Sequence, residues 1–141
     1  MVAEEPPSCL DALRRAIPCR FVRYSDRRYA RTLLECDIIV SPKRLVNAYE
    51  LGHTEYKITC GMAVGLPAVA SPQPSYVEAI GHAGGGIVAN RPEEWQIALQ
   101  RLVDSATDRA RLGALARRTV LERYATEVVA SHYRALLRGL M

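Results

Sequence analysis

Residues 60–71 form the stretch CGMAVGLPAVAS, in which a helix end with small side chains runs directly into a short apolar strand. Gly65 can adopt the left-handed backbone conformation that closes a helix, and Pro67 fixes φ at the first residue of the strand. The missing side chain at Gly61 would let this helix lie close to a sheet. The stretch therefore predicts a tight helix-to-strand corner, followed by a polar, proline-containing loop that starts at Ser71.

Four short apolar segments, at residues 19–24, 37–40, 67–70 and 86–89, have the composition of β-strands, and helix-like segments separate them. The sequence DIIVSP at 37–42 is a continuous β-branched run that ends at a proline, which is typical of a strand buried on both faces of a parallel sheet. Strands that alternate with helices form βα units. The sequence therefore predicts an α/β fold with about four parallel strands and a helical C-terminal tail.

The composition is that of a globular protein, with 49% hydrophobic and 24% charged residues in a chain of 141. One domain over residues 1–141 is expected at this length, and the acidic, proline-containing segment 1–7 is predicted to be disordered. No apolar run reaches the ~20 residues that cross a bilayer. The N-terminus has the pattern of neither a signal peptide nor a transit peptide, so a cytoplasmic protein without a transmembrane segment is predicted.

The formal net charge is +4, and arginines carry most of the positive charge. A protein that binds nucleic acid usually shows a denser basic stripe with interleaved aromatic residues. We therefore expect no nucleic-acid partner, whereas an anionic small ligand fits the sign of the charge. The four cysteines, Cys9, Cys19, Cys36 and Cys60, form no C-x-x-C pair, which indicates reduced thiols without a bound metal or cofactor.

Polar side chains follow two of the predicted strands, those at 37–40 and 67–70. In a parallel sheet with helices on its faces, ligands bind beyond the carboxyl ends of the strands. If these two strands are neighbours, they deliver several polar side chains to one rim that could receive an anion, namely Asn47, Lys57, Ser71 and Glu78. The residues alone leave a plainer alternative open, which is an ordinary helix–strand turn without a ligand.

Four segments follow one another in this order: CDIIVSP, NAYELGHTEYKITCGMAVGLPAVASP, SYVEAIGHAGGGIVAN and ARRTVLERYATEVVASHYRALL. The series resembles the carboxyl-terminal, donor-binding domain of family-4-like glycosyltransferases with the two-Rossmann, GT-B architecture. The resemblance runs from about Ser25 to Leu137. It implies a partial Rossmann-like three-layer sandwich and a nucleotide-sugar as the substrate.

The resemblance also implies roles for individual residues. Lys57 would lie beside the diphosphate of the nucleotide-sugar, where an ammonium group offsets charge that develops on a leaving nucleotide. Ser71 would line the donor pocket, and Glu78 would accept hydrogen bonds from ribose hydroxyls. Asn47 and Tyr49 would belong to the loop that approaches the donor. The residues by themselves also allow Lys57 to be a solvated helix residue and Glu78 to pair with a nearby arginine.

Two departures from the family pattern bear on activity. Cys60 stands where a glutamate is expected three residues after Lys57, and a neutral thiol cannot replace the hydrogen bonds of a carboxylate. In addition, the acceptor domain and the first strands of the donor domain are not recognised before residue 19. The resemblance therefore predicts a truncated domain, in which the catalytic residues are unknown.

The functional prediction is a glycosyltransferase-like donor-domain fragment that binds a nucleotide-sugar through its diphosphate and is not catalytic alone. Two alternatives stay open: a non-enzymatic, oligomerising interaction module on a Rossmann-like scaffold, and one subunit of a split glycosyltransferase. A short sheet with an exposed edge tends to pair with another chain. We therefore expect a homodimer or a separate acceptor-domain chain as the partner.

Overall fold

The computed structural model describes residues 2–3 and 5–140. Contacts group the chain into two compact units, Met1–Glu35 and Cys36–Met141, where the sequence predicts a single domain over residues 1–141. The predicted disorder of residues 1–7 falls partly on positions 1 and 4, which lie outside the described residues. Among the described helices, none combines the length and the apolar composition that a membrane span requires.

The first unit contains two helices and a two-stranded parallel sheet. Its elements are β1 (Val2–Ala3), α1 (Leu10–Ala16), β2 (Val22–Arg23) and α2 (Asp26–Leu34). In the sheet, Val2 lies opposite Val22 and Ala3 lies opposite Arg23.

The predicted four-stranded sheet is wrong in its strand count. Strand β2 is shorter than the predicted segment 19–24, and it pairs with β1 instead of joining the larger sheet. Arg20 and Arg23 in this segment are exposed. A strand inside a parallel sheet is covered on both faces, so a segment with two solvated arginines does not suit that place.

The second unit contains an open sheet of three parallel strands and six of the described helices. Its elements are β3 (Ile39–Ser41), α3 (Ala48–Leu51), α4 (Tyr56–Ala63), β4 (Ala68–Ala70), α5 (Pro74–Ala83), β5 (Gly86–Val88), α6 (Pro92–Asp104), α7 (Ala106–Arg123) and α8 (Thr126–Arg138). The strand order is β3-β4-β5, with β4 in the centre. The predicted α/β class and the parallel direction of the strands are confirmed.

Apolar clusters cover both faces of the central strand β4. Side chains alternate along a strand, and accordingly Ala68 and Ala70 belong to one cluster while Val69 belongs to the other. Helices α4, α5 and α7 supply the first cluster, through residues that include Ile58, Met62, Tyr76, Ile80 and Ala116. The second cluster contains Ala89, Ala98, Leu102 and Leu112 besides the strand residue. Burial on both faces explains why β4 consists only of small apolar residues.

The corner between α4 and β4 depends on glycines for two different reasons. Gly65 has a φ of 85°, a left-handed conformation that residues with a Cβ rarely adopt. A Cβ on Gly61 would instead lie 2.6 Å from Cδ1 of Ile39, and one on Gly113 of α7 would collide with the carbonyl oxygen of Gly65. The glycines therefore let α4 approach β3 and let α7 approach the corner.

Candidate functional site

The candidate site lies at the carboxyl ends of β3 and β4, which we call the carboxyl edge. The two strands pair in parallel, with Ser41 opposite Ala70. The N–H of Ser71 donates a hydrogen bond of 3.2 Å to the carbonyl of Ser41, so the pairing continues past the end of β4. The predicted adjacency of the two strands is confirmed, and the loops that follow them begin side by side.

Ser71 uses its hydroxyl to hold the loop after β3. Its Oγ accepts a hydrogen bond of 2.8 Å from the N–H of Lys43 and donates one of 3.2 Å to the carbonyl of the same residue. Ser71 is only 4% exposed. The side chain that the resemblance assigns to the donor pocket therefore fixes the backbone of Lys43 at the carboxyl edge.

The side chain of Lys43 lies over an aromatic ring. Its Nζ is 5.3 Å from the centroid of the Tyr76 ring, a distance at which the ring face attracts a cation. Tyr76 is fully buried in the first residues of α5, and its hydroxyl is 3.0 Å from Oγ of Ser41. The backbone of Lys43 and the hydroxyl of Tyr76 are thus both hydrogen-bonded to serines at the carboxyl edge.

The charge of Lys43 is affected by two nearby residues. Burial lowers the pKa of Lys43, the ammonium of Lys57 lowers it further, and the carboxylate of Glu50 raises it. Lys57 on α4 is therefore close enough to the carboxyl edge to act on Lys43 electrostatically. Among the residues that the structure describes, no carboxylate oxygen lies within 4.0 Å of either ammonium nitrogen.

Lys43 and Lys57 are the two lysines of a chain with 19 basic residues, the others being arginines. A lysine ammonium is a compact point charge that changes its pKa readily on burial, whereas the guanidinium of arginine stays charged. Both lysines of the chain thus lie near enough to each other to interact electrostatically.

The loop between β3 and α4 is tied to the start of α5. The carbonyl of His53 accepts hydrogen bonds from Nε2 of Gln73 and from Oγ of Ser75, the latter 2.9 Å long. The side chain of Gln73 is fully buried, and its Oε1 has no hydrogen-bond partner. Together with the bonds between Ser71 and Lys43, these contacts hold the loop at both of its ends.

Asn47 and Tyr49 lie in the middle of this connection, Asn47 directly before the short helix α3 and Tyr49 within it. The Oδ1 of Asn47 accepts a hydrogen bond of 2.9 Å from the N–H of Glu50 and so caps helix α3. The ring of Tyr49 is exposed and meets the ring of His53 edge-on, with 4.6 Å between the ring centroids. Asn47 therefore has a local structural role, and Tyr49 presents an aromatic surface to solvent.

Glu78 and Cys60 have surroundings of their own. Glu78 on α5 forms an ion pair with Arg123 on α7, as the plainer of the two sequence interpretations expects.

Cys60 lines a groove of about 430 Å³ together with Glu55, Val120 and Tyr124, among others. Burial there raises the pKa of Tyr124, and the charge of Glu55 adds to the effect.

The structure thus brings Lys57 and Ser71 together around Lys43, while Asn47 and Tyr49 lie in the connecting loop and Glu78 pairs with α7. Sequence analysis missed Lys43 and Tyr76. Lys43 is the second residue after β3, and its position beyond the carboxyl end of a strand could have marked it as a candidate site residue. Nothing in the local sequence marks Tyr76 as a neighbour of Lys43.

Neither a scan against protein-family models nor a search of the curated proteins finds a match to this chain. Within residues 5–140, no group of three or more histidine, cysteine, aspartate or glutamate side chains is placed to hold a metal ion. The geometry of the carboxyl edge is therefore the basis for the function proposed below.

Proposed function

We propose that this chain is a glycosyltransferase-like, Rossmann-like donor domain, which binds a nucleotide-sugar through its diphosphate at the carboxyl edge. One observation carries the proposal: Lys57, in the first turn of α4, lies near the paired ends of β3 and β4 and interacts electrostatically with Lys43. An ammonium group without a carboxylate partner, at the place where parallel sheets bind ligands, is suited to a phosphate anion.

The chemistry of a diphosphate fits this edge. Two nearby like charges repel, and an anion between them is attracted to both. Tyr49 belongs to the connection between β3 and α4, which starts at the carboxyl edge, and its ring is exposed. A planar base or a sugar ring could pack there while the phosphates contact lysine.

We propose further that the domain does not catalyse glycosyl transfer alone. Transfer depends on holding the donor against an acceptor in a reactive geometry, and the acceptor would have to be supplied by another polypeptide. Cys60, at the position of the expected glutamate, lies in the groove beside Val120 and Tyr124. A separate acceptor-domain chain would make this protein one subunit of a split transferase.

The proposal is tested by isothermal titration calorimetry with UDP-glucose, GDP-mannose and ADP-glucose, each added to the wild-type chain and to Lys57→Ala. A hydrogen bond between a charged group and phosphate contributes roughly 1.5–3 kcal/mol, so the Kd of the best ligand is expected to rise about 10- to 100-fold. Arg134→Ala, which removes an exposed positive charge from α8, is the matched control and leaves the Kd within about twofold. Absence of binding to all three ligands at millimolar concentration would refute the proposal.

A second candidate function is assembly, and helix α8 favours it. Val129, Tyr133, Leu136 and Leu137 lie at helical spacings that place them along one stripe, and all four are exposed, Leu136 to 62%. Contiguous exposed apolar side chains mark interaction surfaces. We propose a homodimer in which this stripe of α8 meets a second copy of the chain.

The dimer is tested by size-exclusion chromatography with light scattering across a range of concentrations. The wild-type mass is expected to rise from 15.6 kDa toward twice that value, and Leu136→Glu is expected to stay monomeric because a carboxylate cannot be buried unpaired. Val103→Glu, at an exposed apolar residue of α6, should dimerise like the wild type. A wild-type chain that stays monomeric at every concentration excludes this second function.

A further inference from the structure

The position of Lys43 is more tightly determined than that of an ordinary loop lysine. Its N–H and its carbonyl are both hydrogen-bonded to the hydroxyl of Ser71, and Ser71 directly follows the central strand β4. The backbone of Lys43 is therefore held by the sheet. The side chain begins from a fixed point at the carboxyl edge, so binding a ligand has to order the side chain but not the backbone.

The environment of the Lys43 ammonium leaves its charge available. The Tyr76 ring offers attraction from a π-face, which orients a cation without neutralising it. Glu50 is near enough to raise the pKa of Lys43, yet no carboxylate of the described chain comes within ion-pair distance of Lys43. The ammonium group is thus placed and partly desolvated but lacks a close counter-ion.

Lys57 approaches the same point from a different element. Lys43 follows β3, whereas Lys57 lies in the first turn of α4, and the two charges repel. The fold brings the only two lysines of the sequence near enough to interact electrostatically, and Arg44 directly follows Lys43. A ligand with two linked phosphate groups offers one anionic group to each ammonium, whereas a single phosphate has less charge and a shorter reach.

We propose that Lys43 is a second phosphate-binding residue, and that Lys43 and Lys57 together make the carboxyl edge select a diphosphate over a single phosphate. Ser71 and Tyr76 act as positioning residues for Lys43. This inference rests on the proposed function, because it assigns a further residue to the same site.

The first test is calorimetry with inorganic pyrophosphate and with orthophosphate at low ionic strength. Pyrophosphate is expected to bind at least about tenfold more tightly than orthophosphate. Lys43→Ala and Lys57→Ala are each expected to weaken pyrophosphate binding about tenfold or more, and Arg134→Ala should change it by less than about twofold. Circular dichroism of each variant confirms that it is folded before its affinity is compared.

The second test uses the wild-type chain and needs no variant to fold. Reductive methylation with ¹³C-formaldehyde labels the two lysines and the terminal amine, keeps their positive charge, and gives one NMR signal for each. Both lysine signals are expected to shift when pyrophosphate is added. The pKa of Lys43, which faces Lys57, Glu50 and Tyr76, is expected to rise because a bound anion favours the ammonium form.

The outcomes separate this inference from the proposed function. If Lys57→Ala weakens binding while Lys43→Ala does not, and the Lys43 signal is unmoved by pyrophosphate, the role of Lys43 is overturned and the anion site at Lys57 stands. Equal affinity for orthophosphate and pyrophosphate overturns the selectivity alone. If neither pyrophosphate nor any nucleotide-sugar binds, the inference and the proposed function both fail.

Discussion

The hydroxyl groups of Ser41, Ser71 and Tyr76 show how single residues hold the segments of the carboxyl edge together. Each is buried, and each makes a hydrogen bond to a residue distant in sequence. Buried polar groups are costly unless they are paired. Such groups are therefore retained where they connect segments, and here they connect the end of β3 with β4 and α5.

Tyr76→Phe tests this at the residue scale. The substitution keeps the ring beneath Lys43 but removes the partner of the hydroxyl of Ser41, a residue that is only 7% exposed. We expect the free energy of unfolding to fall by about 1–2 kcal/mol, measured by urea denaturation. In the double variant Ser41→Ala/Tyr76→Phe the loss should be smaller than the sum of the two single losses. Strict additivity would show that the two hydroxyls do not interact.

At the scale of elements, helix α6 shows how a terminus is stabilised by charge. Glu94, in the first turn, accepts hydrogen bonds from the N–H of Asn90 (2.8 Å) and of Arg91 (3.2 Å). These two backbone contacts, followed by that of the Arg91 side chain, lower the pKa of Glu94. The carboxylate form is thus favoured by folding, as expected for an acidic group at a helix N-terminus.

The lowered pKa predicts how the stability contributed by Glu94 depends on pH. Because the folded-state pKa lies below the unfolded one, the contribution is fully present above the unfolded value and is lost as the pH falls through the folded value. Glu94→Gln should therefore unfold at lower urea concentration than the wild type at pH 7, and the gap should narrow in acid. Glu93→Gln, one residue away in the same turn, is the control. If the difference in urea midpoint between the wild type and Glu94→Gln stayed constant across the acid range, the pH-dependent role of Glu94 would be contradicted.

At the scale of the whole molecule, the second unit carries everything that the proposed site needs. The three-stranded sheet, both apolar clusters and the two lysines all lie within Cys36–Met141. A segment with its own sheet and core can fold alone.

We therefore expect a fragment of residues 36–141 to fold and to bind ligand by itself. Its urea unfolding should be cooperative, and its affinity for pyrophosphate should lie within about threefold of the full chain, because no residue of the carboxyl edge is removed. The measurement pairs circular dichroism during denaturation with calorimetry. A fragment that folds but does not bind would place part of the site in the first unit.

Local patterns in the sequence were sufficient to predict the fold class. The β-branched run at 37–40, the small apolar strand at 67–70 and the glycine corner at Gly65 each depend on neighbours close in the chain. Periodicity and turn chemistry report such neighbours directly. The parallel α/β arrangement and the adjacency of β3 and β4 could therefore be predicted before the structure was known.

The number of strands in the sheet and the contacts of the site could not be predicted in this way. Strand β2 pairs with β1, and Lys43 meets Ser71 and Tyr76 at sequence separations of 28 or more. The sequence by itself determined where most helices and strands lie, although not β1 or α3, and that polar residues follow the strand ends. Only the tertiary structure decided which of those residues meet, because packing of the helices on the sheet sets the distances between side chains from different elements.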